Sequence, residues 1–324
     1  MPGARDASHG NGCDVSVRDL VTTDLDRAAG VIRSGGLLGV PTETVYGLAA
    51  DATDPVAVAR IFETKGRPSG HPLIVHLADV DDLAVWAPAA SDAALTLART
   101  AWPGPLTVIV ERSPELPAAV AGGRDTVGVR VPAHDATREV IRRAGVPIAA
   151  PSANRFGKVS PTTAVHVLDD LGGFLDPSRD AILDGGPCPV GVESTIVDCT
   201  TNPPQLLRAG AITAAEIGVL LGVSVAQASG PSRASGMMSS HYAPDCQIRL
   251  VDHLDDAQAL AAGTPGSRIL DLTDDVARYA RDLYGELRRA DAEGVRTLIA
   301  VLPEPSGLGH AVIDRLTKAA APRP

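Results

Sequence analysis

The sequence predicts an α/β protein made of two domains. Strand-like apolar runs alternate with helical patterns along the chain, which is the order typical of layered α/β folds. The 324 residues exceed the size of a typical single domain. Apolar residues make up 44% of the chain but aromatic residues only 3%, so Ala, Val, Leu and Ile must fill most of the core.

The first domain is expected to contain a twisted, mixed sheet covered by helices, over residues 14–212. Gly, Asp, Ser and Asn dominate the opening residues, so 1–13 are predicted to form a disordered tail. The predicted strands are 36–40, 73–77, 106–111, 126–131, 146–150, 181–184 and 194–198. The predicted helices are 24–34, 54–62, 91–101, 137–144, 162–171 and 213–221.

A Gly- and Ser-rich segment separates the two domains. Residues 228–236 break all periodicity, which is typical of a linker, and 213–245 are predicted to form a linker or lid. Beyond it, the predicted strands 247–251, 268–272 and 296–302 alternate with the predicted helices 255–262, 274–290 and 308–319. This order predicts a small Rossmann-like C-terminal domain over 246–324.

The charge balance favours a small anionic ligand over a bound nucleic acid. The formal net charge is −10, whereas neutralising a phosphate backbone requires clustered Lys and Arg. A cleft can still focus a positive field inside an acidic protein. Stable binding of tRNA is therefore not expected.

Cysteine usage and hydropathy predict a soluble, cytoplasmic protein. The four cysteines show no C-x-x-C pair and no His partner at the spacing of a metal site. They are interpreted as unpaired thiols in a reducing compartment. No basic-then-apolar signal opens the chain, and no apolar run is long enough to span a bilayer.

Several familiar catalytic signatures are missing. The chain has no G-x-x-x-x-G-K-[S/T] phosphate loop, no H-E-x-x-H and no G-x-S-x-G. The segment 307–310 misses the spacing of a dinucleotide fingerprint, which favours a role in helix packing. If the protein binds ATP, another arrangement must hold the nucleotide.

Two cations lie in a loop that follows a predicted helix. Lys65 and Arg67 are two residues apart among Gly and Pro, where both can point toward one anion. Arg offers a planar fork for two phosphate oxygens, and Lys a mobile point charge. The alternative is a solvated loop.

Arg130 is the clearest candidate for binding a carboxylate. It lies among apolar residues in a predicted strand, so an inward guanidinium needs an anionic partner. That partner is either a substrate carboxylate or an internal salt bridge. His76 ends another apolar run, where a lone His is more often a core or edge residue than a ligand.

Ser160 and Pro161 are interpreted as the N-cap and the first residue of a helix. A helix start offers free N–H groups to an anion, although most capped helices bind nothing. Glu43 and Glu193 are the acids within the motifs. Either would suit magnesium, a substrate amine or a hydroxyl, and the sequence does not choose between these roles.

These motifs, taken together, resemble the Sua5/YrdC/YciO family, whose long-chain members make threonylcarbamoyl-AMP for tRNA modification. The resemblance covers roughly residues 15–212, and the motifs follow in the family's order. They are Pro41 to Gly47, Lys65 to Pro68, His71 to His76, Trp102 to Thr107, Val129 to Pro132, Ile148 to Asn154, Ser160 to Thr163, Gly191 to Ile196 and Leu207 to Gly210.

The resemblance implies a YrdC-like sheet domain and a set of site residues. Lys65 and Arg67 are expected to be catalytic. The expected ATP-binding residues are Arg67, His71, Thr126, Ser152, Ser160, Arg208 and Tyr242. The expected threonine-binding residues are Thr44, His76, Arg130, Ser194 and the backbone of Ala150. Many relatives have Asn where this chain has His71.

The segment from His241 to Pro244 resembles a family motif that folds back over the nucleotide. Here 238–240 read Met-Ser-Ser, where a commoner form has Lys-Tyr-Arg, so two cations are lost. The resemblance implies a lid that is mobile in the free enzyme and ordered by substrates, with Tyr242 as its anchor.

The implied reaction joins L-threonine, bicarbonate and ATP to give threonylcarbamoyl-AMP, pyrophosphate and water. Magnesium is expected to be held largely by phosphates and water. The product would pass to the downstream transferase machinery that makes N6-threonylcarbamoyladenosine (t6A) in tRNA.

Two other classes of function remain as alternatives. One is an RNA-binding YrdC-like module, against which the acidic balance counts. The other is a carbamoyl-transfer domain of the hydrogenase-maturation type, which shares the fold. That second alternative predicts zinc-finger and acylphosphatase-like segments, and the sequence contains neither.

Overall fold

A computed structural model of the chain describes residues 19–228 and 241–322. In the first range, eleven strands form one mixed sheet in the order β1-β8-β2-β3-β7-β4-β6-β5-β9-β10-β11. The strands are β1 Val21–Thr22, β2 Leu38–Val40, β3 Gly47–Asp51, β4 Ile74–His76, β5 Leu106–Glu111, β6 Thr126–Arg130, β7 Ile148–Ala149, β8 Ala181–Leu183, β9 Thr195–Asp198, β10 Gln205–Arg208 and β11 Ala226–Gln227. The predicted mixed sheet is confirmed.

Seven α-helices accompany this sheet in the described range, and their caps explain where several begin. Asp24, Asp54, Ser91 and Thr213 each accept a backbone N–H at a helix start, which satisfies donors that have no partner inside the helix. The helices are α1 Leu25–Arg33, α2 Pro55–Lys65, α3 Leu83–Trp86, α4 Asp92–Ala101, α5 Asp135–Ala144, α6 Ala164–Leu171 and α7 Ala214–Leu221.

The C-terminal domain is a small parallel sheet with helical connections. Its strands, in the order β12-β14-β13, are β12 Gln247–Val251, β13 Ser267–Leu270 and β14 Thr297–Val301. The helices are α8 Leu254–Ala262, α9 Val276–Ala292 and α10 Gly309–Ala320. Both strand pairs are parallel, so the predicted Rossmann-like alternation of strands and helices is confirmed.

The two domains share an apolar core. Val45, Val159 and Val192 of the first domain pack in one cluster with Tyr279 and Leu283 of α9. At Gly191 the backbone approaches α9 closely: a Cβ there would lie 2.3 Å from the Cα of Arg281. Only glycine permits this contact, so the loop that precedes β9 packs directly against the backbone of α9.

Four strands and one short helix were not predicted: β1, β3, β10, β11 and α3. Strand β3 reads Gly-Leu-Ala-Ala-Asp and lacks the β-branched residues that mark strands. It is a strand because it pairs with β2 on one side and β7 on the other. Tertiary pairing therefore overrides local propensity here.

The predicted helix start at Ser160 is wrong. Helix α6 begins at Ala164, and Thr163 is its N-cap, with the Thr163 hydroxyl accepting the His166 N–H. Residue Pro161 instead lies beside Tyr46, whose N–H donates to the Pro161 carbonyl at 2.9 Å. The other predicted elements differ from the observed ones mainly at their ends.

Some predictions fall outside the described residues. These are the tail 1–13 and residues 229–240 of the linker, so the domain boundaries stay predictions. Three of the four cysteines lie in the described ranges, and Cys188, Cys199 and Cys246 are free thiols, as expected. Within 19–228 and 241–322, no helix combines the length and apolar character needed to cross a bilayer.

Candidate active site

A small cavity lies where strand ends of the first domain meet the segment that enters the second. Its volume is about 50 Å³, which is room for water molecules, and it is partly open to solvent. The lining residues are Thr42, Thr44, Val45, Gly47, Arg67, Ile74, His76, Arg130, Ala150, Pro151, Ser152, Glu193, Ser194, Arg208, His241 and Tyr242.

Strand pairing places His76 beside Arg130. Strands β4 and β6 run parallel, and the two residues are partners at the ends of that ladder. Parallel strands bring their carboxyl ends to one edge of a sheet, so both side chains reach the same cavity. Thr44 enters from the turn that joins β2 to β3.

Arg130 is held on three sides by the protein. Its Nη2 forms a salt bridge with Glu43 Oε1 at 2.6 Å. Its Nη1 donates to Thr44 Oγ1 at 3.0 Å, and its Nε donates to the Gly104 carbonyl at 3.2 Å. The internal salt bridge considered from the sequence is therefore present, and Glu43 is its anion. Two of the five guanidinium N–H groups therefore donate hydrogen bonds, whereas Nη2 contacts Glu43 as an ion pair without hydrogen-bond geometry.

His76 is a buried, neutral acceptor. Burial, and then the charge of Arg130, lower the pKa of His76 to about 3. Its Nδ1 lies 3.2 Å from the Ile74 carbonyl, and a neutral ring in this geometry carries its proton on Nδ1. Because Nε2 is then a hydrogen-bond acceptor in the cavity wall, His76 suits a ligand hydroxyl or amine.

Arg208 is joined to Ser194 by two hydrogen bonds. Its Nε donates to the Ser194 carbonyl at 2.9 Å, and its Nη2 donates to Ser194 Oγ at 3.1 Å. Thr107 Oγ1 lies 2.8 Å from the same hydroxyl. A Cβ at Gly210 would lie 2.3 Å from the Thr195 nitrogen, so a glycine just after β10 allows this close approach.

Arg67 and Lys65 have different surroundings. Arg67 lines the cavity, and burial lowers its pKa to about 10, so it stays charged at neutral pH. Lys65 is 1% exposed and donates to the carbonyl oxygens of Ser152 and Asn154. Lys65 therefore fixes the loop that carries Ser152.

Glu193 links the two domains at the wall of the cavity. Its carboxylate accepts from Ser160 Oγ at 2.6 Å, from Tyr284 OH at 2.8 Å and from Arg315 Nε at 2.8 Å. Burial alone would raise its pKa, but Arg315 and Arg208 lower it to about 2. Glu193 is thus a buried anion that holds α9 and α10 against the first domain.

His241 and Tyr242 close the cavity on the side of the C-terminal domain. Tyr242 is 1% exposed, its ring centroid is 5.7 Å from that of Tyr284, and the Arg315 Cζ lies 5.5 Å from it. The His241 N–H donates to the Lys318 carbonyl at 3.2 Å. This part of the predicted lid is docked in the structure.

Nine of the predicted site residues line the cavity, and four do not. The nine are Thr44, Arg67, His76, Arg130, Ala150, Ser152, Ser194, Arg208 and Tyr242. Lys65 lies behind the Ser152 loop, and Ser160 reaches the cavity through Glu193. His71 is half-buried against the Phe156 ring. Thr126 begins β6, about 13 Å along the strand from Arg130.

The sequence reasoning missed Tyr284 and Arg315 and left the role of Glu193 open. Nothing in the pattern of α9 or α10 separates these two residues from others on an amphipathic helix. Arg315 is fully buried. The sequence of α10 does not distinguish it from an exposed Arg, because its burial results from packing against the first domain.

The described residues contain no group of three or more His, Cys, Asp or Glu side chains that could hold a metal ion. The two acids near the cavity are both engaged, Glu43 by Arg130 and Glu193 by Arg315. A divalent cation at this site would therefore rely on oxygens that come with the ligand.

The fold and the site define an α/β protein with a cationic pocket for a small anionic ligand, closed by a second domain. The chain belongs to the Sua5/YciO/YrdC family. The model of that family, which is described as telomere recombination, matches residues 30–210. A second model, described as the C-terminal domain of threonylcarbamoyl-AMP synthase, matches residues 212–321. The predicted family is therefore confirmed.

Named relatives match nearly the whole chain. Threonylcarbamoyl-AMP synthase of Pyrococcus abyssi is 41% identical, with 91% of this chain and 94% of the relative covered. The synthase of Bacillus subtilis is 36% identical, with 95% and 97% covered. The crystal structure of P. abyssi Sua5 complexed with L-threonine matches with a TM-score of 0.84 at 40% identity, covering 91% of this chain and 94% of that one.

Proposed function

We propose that this protein is a threonylcarbamoyl-AMP synthase that joins L-threonine, bicarbonate and ATP. The observation that carries the proposal is the convergence of Arg67, Arg130 and Arg208 on one cavity, in a chain that matches named synthases along nearly its whole length. Three buried cations suit a ligand set that brings one carboxylate and a triphosphate.

The carboxylate of threonine would bind Arg130. The Nη2 of Arg130 has an ion-pair contact with Glu43 but no hydrogen-bond partner among the described residues and would donate to the carboxylate, while Thr44 and the Gly104 carbonyl keep the guanidinium plane in place. Because Glu43 already balances the charge of Arg130, threonine binding relies on hydrogen-bond geometry as much as on charge.

Neutral side chains would form hydrogen bonds with the remaining polar groups of threonine. His76 offers an acceptor, and Ser194 and Thr44 offer hydroxyls, all in the cavity wall. A site that hydrogen-bonds a hydroxyl rejects an analogue without it much more strongly than one that lacks only a methyl group. Threonine should therefore be preferred over serine modestly and over valine strongly.

ATP would bind along Arg67, Ser152 and Arg208. The cavity has a volume of about 50 Å³ and is partly open to solvent, and His241 and Tyr242, which line it, would move to admit the nucleotide. Their return would exclude water from the reactive mixed anhydride. The expected ATP contacts of His71, Thr126 and Ser160, and a catalytic role of Lys65, are further parts of this proposal.

The proposed reaction requires no covalent enzyme intermediate, and catalysis would depend on positioning the substrates. The amine of threonine attacks the carbon of CO2 derived from bicarbonate and loses a proton to solvent, which gives a carbamate. A carbamate oxygen then attacks the α-phosphorus, and pyrophosphate leaves with the bonding electron pair. Arg67 and Arg208 would stabilise the charge that develops on the phosphates.

Magnesium would enter as the ATP complex. Phosphate oxygens and water would supply most of its ligands, since Glu43 and Glu193 are occupied by cations. The ion would neutralise part of the phosphate charge. The product would then pass to the machinery that completes t6A, with the protein acting in the cytoplasm and without stable tRNA binding.

A pyrophosphate-release assay tests the proposal. The full chain is incubated with ATP, magnesium, bicarbonate and one amino acid at a time. We expect release with threonine, less with serine and very little with valine, and none when bicarbonate is removed. Equal release with valine would contradict the proposed pocket, and no release with any amino acid would contradict the function.

A further inference from the structure

The Phe156 side chain lies between the cationic loop, which carries Arg67 and His71, and the closing segment, which begins at His241. The Cζ of Arg67 is 5.8 Å from the centroid of its ring. The His71 ring meets the Phe156 ring edge-on at 5.4 Å, and the His241 ring meets it edge-on at 6.2 Å. Phe156 therefore contacts both sides of the proposed ATP site.

The backbone around Phe156 contacts the same two regions. The Phe156 N–H donates to the Lys65 carbonyl at 2.9 Å, and the Gly157 carbonyl accepts the Ala243 N–H at 3.1 Å. The first bond ties the ring to the end of α2, where the cationic loop starts. The second ties the neighbouring residue to the closing segment, so the backbone that carries the ring is bonded to both regions.

An aromatic ring can orient a guanidinium in a way that an aliphatic side chain cannot. The ring face attracts the cation, and a positively polarised ring edge favours edge-on contacts with other rings. Arg has a long stem with many rotamers, and restricting them on binding weakens affinity. A ring that already holds Arg67 reduces that loss.

We propose that Phe156 is a positioning residue for ATP, which holds the Arg67 guanidinium in its binding orientation and couples that orientation to docking of His241. The inference rests on the proposed function, because it takes Arg67 to be a ligand of the triphosphate. Phe156 acts through Arg67 and does not itself take part in the chemistry.

Calorimetry on the full chain, with ATP and with threonine as separate ligands, tests this role. Phe156→Leu removes the ring, and we expect ATP affinity to fall by roughly 5- to 20-fold while threonine affinity is unchanged. Phe156→Trp restores an aromatic face, so its ATP affinity should lie within about threefold of wild type. A residue that only supported the fold would weaken both ligands together.

Phe174 provides a matched control. It also packs against an arginine, with the Arg155 Cζ 4.3 Å from its ring centroid, but it is 56% exposed and does not line the cavity. Phe174→Leu should leave ATP affinity unchanged.

Wild-type ATP affinity in Phe156→Leu would overturn the inference, as would a Phe156→Trp protein as weak as Phe156→Leu. If the wild-type protein binds ATP and releases pyrophosphate while Phe156→Leu does the same, only the inference fails. A wild-type protein that binds no ATP overturns the proposed function, and the role of Phe156 with it.

Discussion

The two walls of the cavity are built in different ways. One, the strand wall, consists of Thr44, His76, Arg130 and Ala150, and the contacts described for Arg130 all come from the first domain. The other, the interface wall, consists of Glu193, Arg208, His241 and Tyr242, and depends on Tyr284 and Arg315 of the C-terminal domain. The strand wall should persist when the domains separate, whereas the interface wall should not.

This difference suggests that the first domain alone forms the threonine site, whereas the ATP site is completed when the C-terminal domain closes the cavity. Threonine would meet a wall whose geometry the sheet already sets. ATP would meet a wall that is complete only when residues 241–242 and the C-terminal helices are docked. The C-terminal domain would thus act mainly on the nucleotide side, and variants in the two walls should behave differently.

The largest expected effect comes from Arg315→Met. This change removes the cation that pairs with Glu193 inside the domain interface, and breaking a buried pair typically costs about 3–5 kcal/mol. We expect the free energy of unfolding in urea to fall by about that amount. Threonine binding should be retained at low denaturant, because the strand wall does not use Arg315.

Arg288→Met is the control for Arg315→Met. Arg288 also bridges the domains, through both oxygens of Asp170 and the Val159 carbonyl, but both side chains of the ion pair keep some exposure, so its loss should cost less than that of Arg315, about 1–3 kcal/mol. The double variant Glu193→Gln with Arg315→Met should recover part of the stability, since it removes the unpaired charge. Equal losses for Arg315→Met and Arg288→Met would contradict a special role of the buried pair.

Tyr242→Ala is expected to cost about 3 kcal/mol of stability, because it empties a buried aromatic site. A linker residue would contribute little to either core, but Tyr242 packs in the cluster that joins the domains. Tyr242→Phe, which keeps the ring, serves as control. Urea unfolding measures both, and an unchanged midpoint for Tyr242→Ala would show that the docked position contributes little.

Arg67→Ala and Arg130→Ala should separate the two ligands. Loss of a hydrogen bond to a charged group costs about 1.5–3 kcal/mol. Arg67→Ala should weaken ATP by this amount and leave threonine unchanged, and Arg130→Ala should do the reverse. Because Arg130→Ala also leaves Glu43 buried without its cation, it should lower stability as well, so its binding is measured under conditions where the variant is folded. Calorimetry with each ligand decides, and normal threonine binding by Arg130→Ala would exclude the carboxylate assignment.

The last prediction concerns pH. Burial lowers the pKa of His76 and of His241 to about 3, from an unfolded value near 6.5. The unfolded chain therefore binds more protons between these values, and stability falls as the pH drops from about 6.5 toward 3. Each residue contributes at most about 1.4 kcal/mol per pH unit.

Urea unfolding at pH 7 and pH 5 measures this dependence. His76→Asn and His241→Asn should each make stability less sensitive to pH in that range. Hydrogen exchange at pH 5 should show 241–244 opening before β4, because His241 can reach water by undocking, whereas His76 is exposed only when the sheet opens. Simultaneous exchange of the two segments would contradict the distinction between the walls.

The sequence alone determined the architecture and much of the strand wall. Alternating apolar runs predicted the mixed sheet and the small parallel domain, because burial imposes a period on strands and helices that can be read locally. Arg130 and His76 could be located at strand ends from the sequence. Each is a polar residue in an apolar run, so its side chain must find a partner in the core or face a cleft. The motif order, through the family resemblance, supplied the ATP and threonine assignments.

Only the tertiary structure decided which partners the buried charges have. Glu43 pairs with Arg130, and Glu193 joins Ser160 to Tyr284 and Arg315, although these residues lie far apart in the chain. Local sequence carries no signal for such pairs, because a buried charge is satisfied by whichever group the fold brings within hydrogen-bond distance. For the same reason strand β3 and the docked position of Tyr242 depend on elements that are distant in sequence.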